Sequence, residues 1–313
     1  MKFRFDMVQK LLPFLSLISL FLFLSIASPH FLTAVNLSSV VRQTAVINIM
    51  ALGMTLVIVS GGIDLSVGAI LAFSGTIGTM CIVSGWGIGG GILAGLMCGL
   101  AWGLANGVLT TSIKIPPFIV TLGTLGIARG LTLIISDGLP VVGLPREFSF
   151  LGEGTFLGVP FVLLVLLFCA VLTYLTLHAT KLGRYTYAIG SNKEAAIYAG
   201  IPVAKYTVAV YAISGMLTGI ASMIEASRLM TGQPTAGQGY ELLVIAAVVI
   251  GGGSLTGGEG SVVGTLIGAF IMGLLANGSD LLGINPYLQQ AIIGTVIIAA
   301  VALDGARKRR FSA

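Results

Sequence analysis

Charge is what this chain has least of. Of its 313 residues only 9% are Asp, Glu, Lys or Arg, against about 25% in ordinary soluble domains. A water-soluble globule of this size needs a polar covering, so the shortage excludes one. Histidine is nearly absent too. With only His30 and His178, a two-histidine zinc helix or a serine–histidine triad has little to work with. No lysine follows a glycine, which excludes the phosphate loop of the common ATPases. No GxSxG nucleophile turn occurs. Gly85-Trp86-Gly87-Ile88-Gly89-Gly90 matches GxGxxG formally, but no strand precedes it and it lies at the edge of an apolar run. The three cysteines (Cys81, Cys98, Cys169) sit inside apolar stretches without metal-ligand spacing. No catalytic centre, metal or cofactor is expected on this chain.

What is present in excess is apolar length. The hydrophobic set makes up 56% of the chain, and a bilayer span needs about 20 mostly apolar residues. Ten candidates follow: 11–28, 44–61, 65–83, 88–110, 117–136, 160–179, 206–226, 241–257, 261–278 and 286–303. The fold class expected is all-α, a polytopic transmembrane bundle forming a single domain over 1–313. The cations orient it. With the N-terminus inside, Lys2, Arg4, Lys10, Lys114, Lys181, Arg184, Lys193, Lys205, Arg307, Lys308, Arg309 and Arg310 face the cytoplasm, and only Arg42, Arg146 and Arg228 face outward. That bias favours both termini inside. It also accounts for the net charge of +5 without nucleic acid. Lys2, Arg4 and the run ending Ser25-Ile26-Ala27-Ser28 also resemble a signal peptide, but an apolar stretch of about 18 residues is long for one, so the first helix is expected to be retained.

Glycine is abundant, at 44 residues. Gly87, Gly91, Gly95, Gly99, Gly103 and Gly107 recur at every fourth position. Small residues at this spacing let helices approach closely. A four-residue step overshoots the 3.6-residue turn by about 40°, so the groove spirals around its helix. Gly91, Gly95, Gly99 and Gly103 are therefore the packing candidates. Two further glycine clusters interrupt apolar runs: Gly61-Gly62-Ile63-Asp64-Leu65-Ser66-Val67-Gly68, and Gly251 to Gly260. The first reads either as a tight turn capped by Asp64 or as a broken helix exposing polar groups to a pathway. Asn106, Thr121 and Arg129 are further polar groups within apolar spans, where such residues by default suggest function. Asp64, Asn106, Thr121 and Arg129 are thus the candidate pathway residues. The polar segment Gln233-Pro234-Thr235-Ala236-Gly237-Gln238-Gly239-Tyr240-Glu241 is expected to shape the outer mouth. The second and seventh spans start from opposite sides, so an inverted repeat is geometrically possible, although the halves do not match convincingly in sequence.

The segment 191–201 is different in kind. Asn192 can cap a short helix, Glu194-Ala195-Ala196 favour one, and Gly200 with Pro202 stop it. A short rigid helix between spans suits docking. Glu194-Ala195-Ala196-x-x-x-Gly200 resembles the coupling signature of bacterial ABC importer permeases. The stretch from Gly61 to Gly68, Pro116-Pro117-Phe118-Ile119-Val120-Thr121-Leu122-Gly123-Thr124, the segment Gln233 to Glu241 and the loop Gly251 to Gly260 resemble the ribose-type monosaccharide permeases. The similarity runs from about Ala45 to Asp304. It implies two membrane subunits around one pathway, a homodimer being simplest. ATPase subunits that bind ATP and Mg lie beneath, and an extracytoplasmic sugar-binding protein docks above. It further implies Glu194, Ala195, Ala196 and Gly200 as the contact with the ATPase, a monosaccharide cargo with ribose-like pentoses first, and a place in the bacterial cytoplasmic membrane among its lipids. The alternative class, an ion-coupled secondary transporter, favours carboxylates placed mid-span, whereas Asp64, Glu225, Glu241 and Glu259 fall near span ends.

Overall fold

The computed structural model describes residues 2–311, with side chains described for residues 12–285, 287–299 and 302. Lys2, Arg4, Lys10, Arg307, Lys308, Arg309 and Arg310, which enter the charge count above, lie outside the described side chains. The described residues form helices α1 (Lys2–Ala27), α2 (Ala34–Val59), α3 (Val67–Cys81), α4 (Gly87–Ser112), α5 (Pro117–Ile135), α6 (Phe150–Glu153), α7 (Phe161–Ala179), α8 (Lys181–Ser191), α9 (Lys193–Tyr198), α10 (Val203–Leu229), α11 (Tyr240–Ile250), α12 (Val262–Leu281) and α13 (Pro286–Phe311). The only strands among them are the two residues each of a small hairpin, Thr155–Phe156 with Val159–Pro160. The all-α membrane class therefore stands. Among the described residues, six helical stretches are long and apolar enough to cross a membrane, with α3 and α4 forming one continuous stretch, Val67–Ser112. Residues Leu12–Ala27, Tyr240–Ile250 and Tyr287–Ala299 form shorter apolar helices.

Burial explains which helix goes where. From Thr44 to Val59 every residue of α2 is buried, as expected of an all-round apolar helix at the centre of a bundle. On α7, by contrast, Val162, Leu166, Cys169, Ala170, Thr173 and Leu177 are buried at helical spacing while Phe168 is 62% exposed on the other side. One stripe faces protein and the rest is apolar outside, which suits a peripheral membrane helix. α5 is similarly one-sided, with Val120, Thr121, Thr124, Ala128 and Thr132 turned inward.

The packing repeats itself. α2 and α10 lie against each other and run in opposite directions: Gly53 abuts Ser214, and Gly62 abuts Tyr211. α3 packs on α4 and α10, as α11 packs on α12 and α2. α4 lies on α10 as α12 lies on α2. α5 contacts α3 and α4, as α13 contacts α11 and α12. The units α2–α5 and α10–α13 therefore share one arrangement in opposite sense, an inverted repeat. The main core is formed largely by α2, α10, α11 and α12.

Two expectations need correction. The run 241–257 is not a full span: α11 ends at Ile250, where Gly252 at φ +89° leaves the helical region. Glycine adopts that conformation at little cost. Nor does 233–241 lie across a mouth. It passes along α3, with Gly232 against Thr79, Ala236 near Leu71 and Ala72, and Gly237 against Gly68. The segment thus descends about three turns of α3.

Candidate functional site

The α2–α3 break is built from its own side chains. Gly61, at φ +81°, turns the chain, and the Gly62 N–H returns to the Val57 carbonyl at 2.9 Å. Asp64 then folds over the start of α3. Its Oδ1 accepts from the Ser66 N–H at 2.9 Å and from Ser66 Oγ at 2.5 Å. Asn106 on α4 donates from Nδ2 to Ser66 Oγ at 2.8 Å. The Ile63 carbonyl accepts from Thr121 of α5 at 3.2 Å and from the Tyr211 hydroxyl of α10 at 3.3 Å. Asp64, Asn106 and Thr121, far apart in sequence, thus meet around one break, each with 0% exposure. Among the described residues Asp64 Oδ2 and Asn106 Oδ1 have no hydrogen-bond partner, an expensive arrangement for buried oxygens. Asp64 closes a local turn, as the tight-turn reading has it, and α4, α5 and α10 brace that turn.

Arg129 sits on the neighbouring segment. Its Nη1 donates to the carbonyls of Pro234 at 2.8 Å and Ala236 at 2.9 Å. A cation on α5 therefore holds the descending segment by its backbone. Gly237 and Gly68 are so close that a side chain on either would meet the backbone of the other. This brings the first turns of α3 and α11 to one level, with the Glu241 side chain beside Gly68. At the segment's other end, Glu225 pairs with Arg228 at 2.9 Å and accepts from the Tyr240 hydroxyl at 3.3 Å. Arg228, Arg42 and Glu153 border a cavity of about 450 Å³. Sequence reasoning did not find Tyr211, an aromatic in an apolar run that only its hydroxyl's destination marks out.

The glycine series on α4 changes partner along its length. A side chain at Gly91 would strike Ile82 and the Gly78 carbonyl, and one at Gly95 would strike Met223. At Gly99 it would reach Gly219, 2.9 Å away, at Gly103 the Tyr211 backbone, and at Gly107 Val208, 2.7 Å away. The contact moves from α3 to α10, as the 40° overshoot requires. Gly87, at φ +72°, meets nothing within 4 Å and lies outside the series.

The segment 191–201 forms α9. Asn192 caps it, accepting the Ala195 N–H at 2.9 Å, and Glu194 lies in its first turn, where a carboxylate suits the helix dipole. It closes with a Schellman pattern: Gly200, at φ +75°, bonds Ile197 and the Ile201 N–H reaches the Ala196 carbonyl at 3.0 Å. Ala196 is buried, while Glu194, Ala195 and Gly200 are exposed, as are Ile197 (54%) and Tyr198 (90%). Behind α9, α8 anchors it. Gly190 packs on the Val59 carbonyl, and the Gly258 N–H bonds that same carbonyl at 2.9 Å. Tyr187 donates to Gly260 at 2.7 Å. Burial raises the Tyr187 pKa, so the hydroxyl keeps its proton and remains a donor. The α9 helix is thus joined through α8 and the Gly251–Gly260 loop to the end of α2, next to the Asp64 break.

An inverted helical repeat in the membrane, interrupted helices whose starts meet, and an exposed helix on a braced support together define a transport protein of the membrane. The chain belongs to the family described as branched-chain amino acid transport system / permease component, whose model matches residues 36–301. It is a multi-pass membrane permease. It is 48% identical to the ribose import permease protein RbsC of Bacillus subtilis over 97% of this chain and 95% of that one. It is 42% identical to the RbsC protein of Escherichia coli K12, covering 94% and 93% of the two chains. The L-arabinose transport system permease protein AraH of Escherichia coli K12 is 38% identical, covering 91% and 87%. No solved structure matches the chain.

Proposed function

We propose that this chain is the membrane-spanning subunit of an ATP-driven importer of a monosaccharide, ribose or a close relative first, in the bacterial cytoplasmic membrane. Identity of 48% with a ribose import permease along 97% of the chain carries the reading. An extracytoplasmic binding protein delivers the sugar. Two copies of the chain surround the pathway. Separate ATPase subunits bind ATP and Mg and supply the work. Ten segments enter the bilayer, with both termini on the cytoplasmic side and α8 and α9 facing the ATPase.

Glu194, Ala195, Ala196 and Gly200 form the coupling contact in this reading. The exposed Ile197 and Tyr198 supply the apolar knob, and Asn192 and Gly200 hold it rigid. Movement of α9 is carried by α8 to Gly190, Val59 and Gly61. That is the foot of the break held by Asp64, Asn106 and Thr121. The packing of Gly91, Gly95, Gly99 and Gly103 keeps α3, α4 and α10 together as that break moves. The test is co-purification from mild detergent. Wild type is expected to bring down its ATPase subunit, and Glu194→Arg to lose it while folding normally. A mutant that retains the ATPase moves the coupling contact elsewhere.

A further inference from the structure

The segment between α10 and α11 enters the membrane without being helical. Two lengths locate it. α3, with 15 residues, extends about 22 Å to one side of the Gly68–Gly237 contact, and α11, with 11 residues, about 16 Å to the other. In a hydrocarbon layer about 30 Å thick, the contact falls near the middle. Irregular backbone at that depth cannot face lipid, because its N–H and C=O groups would go unsatisfied. It is tolerated only against protein or along a water-filled cavity.

One side of the segment is against protein. Pro234 and Gly237 are buried, and Arg129 takes the carbonyls of Pro234 and Ala236. The other side is open: Thr235 and Gln238 are exposed and Glu241 is half-buried. Among the described residues Gln238 makes no side-chain hydrogen bond, and the Thr235 hydroxyl meets only Gln233, at 3.2 Å. An amide and a hydroxyl therefore point away from the chain at mid-depth, where lipid would penalise both, while the Glu241 carboxylate lies against Gly68. By comparison Asp64, Asn106 and Thr121 are wholly enclosed and brace the break instead.

We propose that Gln238 and Thr235 line the translocation pathway at its midpoint and that the Gln238 amide hydrogen-bonds the hydroxyl groups of the passing sugar. The arrangement suits a polyhydroxylated, uncharged cargo: an amide donates and accepts, and a hydroxyl does both. Arg129, held on the loop carbonyls, fixes the height of the segment and leaves Thr235 and Gln238 turned outward. This rests on the importer reading for the nature of the cargo. The exposure of Gln238 to water does not.

The test is cysteine accessibility in the assembled transporter. Cys81, Cys98 and Cys169 are first replaced by serine or alanine, and Gln238→Cys and Phe168→Cys are then made separately in membrane vesicles. Gln238→Cys is expected to react with a charged, water-soluble methanethiosulfonate reagent, at rest or during ATP turnover, and to lose uptake on reaction. Phe168→Cys, on the exposed face of α7, is expected to react only with a lipid-soluble maleimide. Gln238→Leu is expected to cut sugar uptake about tenfold, the effect of one lost hydrogen bond, while still co-purifying with the ATPase. Gln238→Asn should restore part of it. The proposal is overturned if Gln238→Cys resists the charged reagent in every state, or if Gln238→Leu transports as wild type does. Absence of ATP-driven sugar uptake by wild type instead defeats the importer reading, and the labelling still reports whether Gln238 meets water.

Discussion

Asn106 shows how much of a site rests on single polar atoms. Its amide joins α4 to the α2–α3 break through Ser66, and removing it leaves the Ser66 hydroxyl with one donor fewer in a fully enclosed space. Asn106→Ala is expected to cost about 1–3 kcal/mol, read as a lower unfolding temperature in detergent. Asn106→Leu, which keeps volume without restoring the donor, should not recover the loss. The glycines make a sharper pair. Gly103 has the Tyr211 backbone against it, whereas Gly89 on the same helix has nothing within 4 Å. Gly103→Leu is expected to abolish stable expression. Gly89→Ala should be tolerated or slightly stabilising, since alanine favours a helix by up to about 1 kcal/mol over glycine. Size-exclusion profiles of the two variants distinguish them. At this scale the sequence was readable where a residue repeats with a period, as on α4. It was silent where meaning depends on a distant partner, as for Tyr211 and Ile63.

Among the elements, α9 was the most legible, because every determinant is local. Asn192, Glu194, Ala195, Gly200 and Pro202 lie within one short stretch, and cap, helix formers and stop residue need no tertiary contact to be read. Gly200→Val forces a β-branched residue to φ +75° and is expected to cost about 1–2 kcal/mol locally. The protein should still fold, because α9 packs little of its surface, but its affinity for the ATPase should fall. Pull-down against a titration of ATPase would measure that. The segment 231–239 was the least legible. Its glycines, proline and polar residues signal a loop, and a loop between apolar runs is ordinarily assigned to the surface. Only the Gly232–Thr79, Arg129–Pro234 and Gly237–Gly68 contacts place it along α3. The length of α11 was overestimated for a related reason: no charge follows Glu241 until Glu259, and the stop comes from backbone conformation at Gly252.

The whole molecule reads as two units, α2–α5 and α10–α13, that share a packing pattern without sharing a recognisable sequence. Membrane class was plain from composition alone, since scarce charge and long apolar runs admit few alternatives. The inverted repeat was visible only as a possibility, because it depends on which helices touch. That symmetry also revises an argument against ion coupling. Asp64 and Glu241 do fall near helix ends, yet α3 and α11 both begin at one level inside the bundle, so a helix end here is not by itself a membrane surface. What separates an ATP-driven importer from an ion-driven carrier is therefore the α9 surface and the energy source, not the position of carboxylates. The decisive measurement is sugar uptake by the chain reconstituted with its ATPase and binding protein in sealed proteoliposomes, with ionophores present to collapse every ion gradient. The account predicts accumulation that requires ATP, persists with ionophores and disappears in Glu194→Arg. Uptake that proceeds without ATP, follows an imposed ion gradient and survives Glu194→Arg would contradict it.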